Sequence, residues 1–209
     1  MAALLESIDA QLRPEHTALL VIDMQNDFCH EDGYLSRERD YKVDYAVDVA
    51  DRIAQLTASL RPLGVHIVWV RSIYDFKYLT PAYQVKRGEE GCCLENSWGA
   101  DYFRIAPADG DVVIDKHSFS GFHDTRLHEE LQKKGIRTLV LTGVATNVCV
   151  DSTLREGFFL GYNIVLAEDC VGSNSKAGHE GTLATVRNNI GTVASSEEIL
   201  RLLSQPAAS

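Results

Sequence analysis

The stretch TLVLTGVATNVCVDSTLREGFFLG, Thr138–Gly161, decides how the rest of the chain is read. Thr138–Thr142 is an apolar, β-branched run of strand length that stops at Gly143. The small and polar turn Val144-Ala145-Thr146-Asn147 leads to Cys149, after which Val150, Leu154 and Phe158 recur at helical spacing until Gly161. A cysteine therefore stands where a strand hands over to a helix N-terminus. Backbone N–H groups there lack intrahelical partners, and the helix dipole is positive. Both favour thiolate over thiol, and the same N–H groups suit the oxyanion of an acyl intermediate. A free cysteine is also, by residue type alone, a small buried core residue. The turn by itself leaves both readings open.

Working outward, strands and helices alternate. Ala18–Ile22 is an apolar strand ending in Asp23. Val65–Val70 is a second, Asp111–Asp115 a third with Lys116 directly after it, and Ile164–Ala167 and Thr192–Ala194 follow the central one. Apolar stripes predict helices over Val43–Leu60, Thr125–Lys134, His179–Asn188 and Ser196–Leu203, the last opening with a cap-like Ser-Ser-Glu-Glu. Continuous apolar strands separated by helices predict a parallel sheet covered on both faces, in one domain spanning residues 1–209. The tail SQPAAS is expected to fray. Arg71–Gly110 interrupts the alternation and carries Tyr74, Phe76, Tyr78, Tyr83, Lys86-Arg87, Gly88-Glu89-Glu90-Gly91 and Trp98. A segment of that length over a sheet is either a lid or binding loop or an oligomer contact.

Composition narrows the function classes. The chain has 209 residues, 45% hydrophobic and 24% charged, which is ordinary for a globular protein. A net charge of −10 argues against nucleic acid as a partner. The five cysteines (Cys29, Cys92, Cys93, Cys149, Cys170) are odd in number and lack CxxC spacing, which predicts reduced thiols and a cytoplasmic protein. The opening MAALLESIDAQLRPEH carries Glu6 and Asp9 and reads as no signal peptide, and no run is long enough to predict a membrane span.

Ligands of such sheets bind beyond the carboxyl ends of the strands. Asp23, Lys116 and Cys149 all fall at predicted strand ends. Taken singly, an Asp there is often a turn former and a Lys a solvated surface residue. Together they supply a base, a cation and a nucleophile at one edge of the sheet.

The pieces ALLVIDMQNDFC, ENSWGADYF, VIDKHSFSGFHDTRL and LVLTGVATNVCVDSTLREGFFLGYNIVLAEDC, in that order, resemble the isochorismatase-like cysteine hydrolases from about Thr17 to Leu203. The resemblance implies an α/β fold, a three-layer α/β/α sandwich around a six-stranded parallel sheet with Rossmann-like topology. It implies a catalytic triad of Asp23, Lys116 and Cys149, a non-proline cis peptide at Val144–Ala145, and an oxyanion hole of the Ala145 and Cys149 N–H groups. Gln25, Asn26, Trp98, Phe119 and Phe122 fall where family neighbours line the substrate pocket. Dimers or tetramers are common in the family.

In the chemistry these residues suit, Asp23 accepts the thiol proton and Cys149 attacks the carbonyl carbon of a C–N substrate, while Lys116 holds Asp23 and lowers the thiol pKa. The C-terminal half looks most like the ureidoacrylate amidohydrolase subgroup, implying a small linear amide, ureido or carbamoyl substrate and release of ammonia. If that substrate bears a carboxylate, Arg71, Lys77, Lys86 or Arg87 can pair with it. The competing readings are vinyl-ether hydrolysis of isochorismate, which needs no nucleophile, and a catalytically silent binding protein. No metal and no other cofactor is expected: the segment RSIYDFKYL lacks the histidine with which nicotinamidases of the family bind an ion, which leaves His117, His123 and His128 surface or supporting roles. Cys92-Cys93 and Cys29 receive no assigned chemistry, and Cys170 is expected to pack.

Overall fold

The computed structural model describes residues 4–88 and 91–205; Glu89, Glu90 and the last four residues of the tail lie outside it, so the expected fraying there is not addressed. The elements are, in chain order, α1 (Ile8–Gln11), β1 (Thr17–Ile22), α2 (Asn26–Cys29), α3 (Tyr34–Arg39), α4 (Tyr45–Leu60), β2 (His66–Ser72), α5 (Pro81–Arg87), β3 (Val112–Lys116), α6 (Leu127–Lys133), β4 (Thr138–Val144), α7 (Asp151–Phe159), β5 (Asn163–Gly172), α8 (Lys176–Thr185), β6 (Thr192–Ala194) and α9 (Ser196–Leu203). The six strands form one sheet in the order β3-β2-β1-β4-β5-β6, every pair parallel.

Side chains alternate between the two faces of a strand, and β1 obeys this throughout, whereas the β4–β5 pairing shifts register after Leu141 and turns Cys170 to the face of Val165 and Ala167. Leu19, Val21, Ile67, Trp69, Val140 and Val165 pack on one face beneath α4 and α9, through Ala50, Ile53, Leu60, Ile199 and Leu202. Ala18, Leu20, Ile22, Val68, Val70, Leu139 and Leu141 pack on the other, beneath Leu127, Leu131, Leu154 and Leu183 of α6, α7 and α8. Both faces being covered, β1 and β4 are buried at every residue, which is why they read as unbroken apolar runs. The expected three-layer sandwich is the observed one.

Boundaries differ in instructive places. β2 runs on to Ser72 and β5 to Gly172, past the apolar cores that mark them in sequence, because ladder hydrogen bonds continue through the polar residues at their carboxyl ends. The helix expected to begin near His179 starts earlier, at Lys176, where the Ser175 side chain accepts a hydrogen bond from the Gly178 N–H. The segment Arg71–Gly110 folds over the carboxyl edge of the sheet around its own small core of Ile73, Tyr74, Leu79, Cys92, Cys93 and Ala100, with Tyr34. It is tied to the loop after β1 by the Asn26 N–H donating to Asp101 O and the Phe103 N–H to Met24 O, each at 2.9 Å.

Candidate active site

The chain builds β1, β2 and β3 outward on one side, then restarts on the other side of β1 with β4. Adjacent loops diverge at such a switch point and leave a crevice at the carboxyl ends of the strands. Asp23, directly after β1, and Cys149, five residues beyond β4, flank it. Asp23 is held at φ 53, a left-handed conformation that Asp tolerates better than most residues, while its N–H still donates to Val70 O at 2.9 Å. Gly143 has φ 107, and a Cβ there would lie 2.0 Å from Ile22 O, so only glycine lets β4 pass β1 this closely at the site. The Val144–Ala145 peptide is cis, as the resemblance implied.

The helix carrying Cys149 opens differently from the expected α-turn. Thr146–Val150 is a π-turn, with the Val150 N–H donating to Ala145 O at 3.3 Å, and the α-helix proper begins only at Asp151. Such wide turns recur at functional sites.

The three strand-end residues meet, although Lys116 comes from the far strand β3. Ser72 on the intervening strand β2 is its register partner, and the lysine side chain reaches across it. Lys116 Nζ is 2.9 Å from Asp23 Oδ2 and 3.4 Å from Cys149 Sγ. It also donates to Ser72 Oγ at 2.8 Å, to Ser118 O at 2.9 Å and to Tyr74 OH at 3.2 Å. Ser72 Oγ in turn donates to Asp23 Oδ1 at 2.9 Å, and Tyr74 OH to Ser118 O at 3.1 Å, 3.9 Å from Cys149 Sγ. Asp23, Ser72 and Lys116 are at most 1% exposed and Cys149 is 6% exposed.

Burial sets the electrostatics. The Cys149 thiol is pushed up to about 12, first by desolvation and then by the Asp23 carboxylate, with Lys116 opposing both. Lys116 does lower the thiol pKa, as expected, but removing the sulfur from water and the Asp23 carboxylate outweigh it, so the net shift is upward and the resting group is a thiol. Lys116 loses stability for its charged form through burial, but Asp23 and then Cys149 outweigh this and raise its pKa.

A cavity of about 480 Å³ opens above Cys149 and Asp23. Val144, Ala145 and Asn147 line one side, and the Arg71–Gly110 segment supplies Tyr74, Tyr83, Lys86, Arg87 and Cys92 on the other. Of the five expected pocket residues, Phe119 lines this cavity, beside Tyr83 at 5.1 Å between ring centroids. The other four do not. Gln25 is fully buried and donates to Ser72 O and Ala100 O, each at 2.9 Å, while its Oε1 accepts from the Ser72 N–H. Asn26 donates to Trp98 O at 2.8 Å. Trp98 sits half exposed against His30, and Phe122 packs on Tyr162 beneath the sheet. All four lie close to the motifs in sequence, but their side chains satisfy backbone groups or pack away from the cavity. Ser72 carries no signal of its own because the apolar run of β2 ends at Val70, although it closes the strand as Lys116 closes β3, and Tyr74 stands out in sequence only as one aromatic of the Arg71–Gly110 segment.

The three histidines part company. His117 Nδ1 lies 2.7 Å from Ile73 O and its ring stacks on Tyr78, His123 is beside Asp124, and His128 Nδ1 is 3.0 Å from Tyr162 OH. Among the described residues, Asp27, Cys92 and Cys93 bring possible metal-ligand atoms within 4.8 Å of one another. Both Asp27 oxygens there already accept backbone N–H groups, of Tyr34 at 3.1 Å and Cys93 at 2.6 Å.

Residues 17–198 match the family model for the isochorismatase domain. The ureidoacrylate amidohydrolase RutB of Klebsiella pneumoniae subsp. pneumoniae is 35% identical over 213 residues, covering 93% of this chain and 89% of that protein. Among solved structures, a cysteine hydrolase from Pseudomonas syringae pv. phaseolicola superposes with a TM-score of 0.82 at 25% identity, covering 97% of this chain and 98% of that one. N-carbamoylsarcosine amidase from Thermoplasma acidophilum superposes with a TM-score of 0.73 at 25% identity, covering 92% and 99%.

Proposed function

The chain belongs to the isochorismatase family, and we propose that it is a cysteine amidohydrolase that cleaves a C–N bond of a small linear ureido or carbamoyl compound through a thioester and releases ammonia. One observation carries the residue assignment: a buried ammonium in contact with both a carboxylate and a thiol at the floor of a cavity, at the switch point of the sheet.

Because the resting sulfur is a thiol, deprotonation and attack are coupled. Asp23 takes the Cys149 proton as sulfur bonds to the carbonyl carbon, and Lys116, 2.9 Å from its Oδ2, holds the carboxylate in place. The Ala145 and Cys149 N–H groups receive the oxyanion, a contribution of about 3 kcal/mol to lowering the barrier for one such donor. Asp23 returns its proton to the leaving nitrogen, the C–N bond breaks and ammonia departs. Asp23 then takes a proton from water, whose oxygen attacks the thioester carbon. The C–S bond breaks, and the proton returns to sulfur. Ureidoacrylate, the substrate in the name of the relative from Klebsiella, fits this scheme as the first compound to try.

The test is ammonia release from ureidoacrylate and a panel of small amides, wild type against Cys149→Ser. Release by wild type that disappears in the variant supports the mechanism, together with a covalent adduct on the Cys149 peptide by mass spectrometry. Undiminished release by the variant removes Cys149 as nucleophile, and activity on isochorismate alone would replace the C–N reading.

A further inference from the structure

Resting on that reading, we infer that the substrate is an acid and that Arg87 is the anchor for its carboxylate, fixing which linear carbamoyl compounds the site accepts. Four cations of the Arg71–Gly110 segment are candidates by sequence, and the structure separates them. Arg71 is committed to Asp115 through two hydrogen bonds of 2.8 and 3.0 Å. Lys77 pairs with Glu95 at 3.7 Å and does not line the cavity. Lys86 reaches the cavity but is exposed at its rim. Arg87 is half-buried in the cavity wall.

Its surroundings are those of a charge waiting for a partner. The guanidinium lies over the rings of Tyr74 at 4.8 Å and of Tyr34 and Tyr83 at 5.8 Å. Its hydrogen bonds go to Cys92 O at 3.2 Å and, at the limit of distance, to Tyr83 OH at 3.5 Å, while Nε is buried with no acceptor. Among the described residues it makes no ion pair with a carboxylate. A guanidinium has five N–H donors in a planar fork, and burying such a charge without an anion is costly. The same Tyr74 that carries Arg87 on its ring face brings its hydroxyl 3.9 Å from Cys149 Sγ. One tyrosine therefore spaces the nucleophile from the cation, a span suited to a short chain with a carbamoyl group at one end and a carboxylate at the other. The aromatic walls suit a flat, conjugated spacer between them.

The probes are ureidoacrylate and its methyl ester, which differ in the charge and by one methyl group. Wild type should favour the acid, and in Arg87→Gln the acid-to-ester ratio of kcat/KM should fall about 10- to 100-fold, mainly through KM. Arg87→Lys should recover part of the ratio, since it restores the charge without the fork. Lys77→Gln should leave the ratio as in wild type. An unchanged ratio in Arg87→Gln, or equal losses on acid and ester, would overturn the proposal and leave Arg87 as packing for the tyrosines. Hydrolysis by wild type of simple neutral amides but not of the acid would overturn it while sparing the amidohydrolase reading. Should wild type hydrolyse none of them, calorimetric titration of Cys149→Ala with ureidoacrylate still decides: affinity that falls with Arg87→Gln supports the anchor, and absent or unaltered binding overturns it.

Discussion

The floor and the wall of the cavity are built on opposite principles. The floor consists of the ends of β1, β2 and β3 and the π-turn after β4, with Asp23, Ser72, Lys116 and Cys149 joined to one another and to main chain and almost wholly removed from water. The wall comes from an excursion between β2 and β3 that stacks tyrosines and carries cations at partial exposure. A sheet ladder places atoms to within tenths of an ångström and resists change, which suits bond-making chemistry. A loop with its own small core tolerates exchange of side chains, which suits choice of substrate. Under the proposed function, chemistry belongs to the floor and choice of substrate to the wall, so substitutions in the two regions should fail in different ways.

The largest effect should come from the floor. Cys149→Ser is expected to lower kcat by a factor on the order of 10⁴ or more, measured as ammonia release, with the fold intact by circular dichroism. A wall substitution that lowered kcat as far would break the distinction.

Next comes the ion pair. Lys116→Met leaves the Asp23 carboxylate buried without its partner and should cost about 3–5 kcal/mol in urea unfolding. Arg71→Ala, which breaks a pair with both side chains partly exposed, should cost less than about 1 kcal/mol. Similar costs for both would mean that burial does not govern the floor.

A pair of measurements sharpens the role of Asp23. With the thiol pushed up to about 12, alkylation of Cys149 by iodoacetamide should accelerate about tenfold per pH unit from pH 7 to 11, with no plateau near 8.5. Asp23 raises that pKa by charge, so Asp23→Asn should lower it and speed alkylation at a given pH while turnover is lost. Slower alkylation in Asp23→Asn would show that the carboxylate activates the resting thiol rather than receiving its proton during attack.

The smallest expected effect tests the seam between the regions. Tyr74→Phe removes a hydroxyl that accepts from Lys116 and donates to Ser118 but keeps the ring beneath Arg87. The loss of one such hydrogen bond should lower kcat about 3- to 10-fold and leave the acid-to-ester preference in place.

Much of this was legible before any coordinates. Fully buried parallel strands must be apolar on both faces, so β1 and β4 announce themselves, and the residue where each run stops marks the edge at which ligands bind. Asp23, Lys116 and Cys149 were found in that way, and Phe119 lies where the motif implied. Gln25, Asn26, Trp98 and Phe122 show the boundary of the method, because position next to a motif says nothing about which way a side chain points. The directions of Gln25 and Asn26 follow from backbone groups of Ser72, Ala100 and Trp98, up to 75 positions away along the chain, and those of Trp98 and Phe122 from the rings of His30 and Tyr162. The same holds for the protonation of Cys149, which depends on how completely other elements exclude water from the sulfur, and for Arg87, whose ring neighbours Tyr34, Tyr74 and Tyr83 are brought to it only by the assembled fold. Local periodicity and strand termini are properties of contiguous residues, and the sequence alone determined them: the layered sheet and the edge at which Asp23, Lys116 and Cys149 stand. Burial, charge pairing and side-chain direction are sums over residues far apart in the chain, and only the tertiary structure decided them.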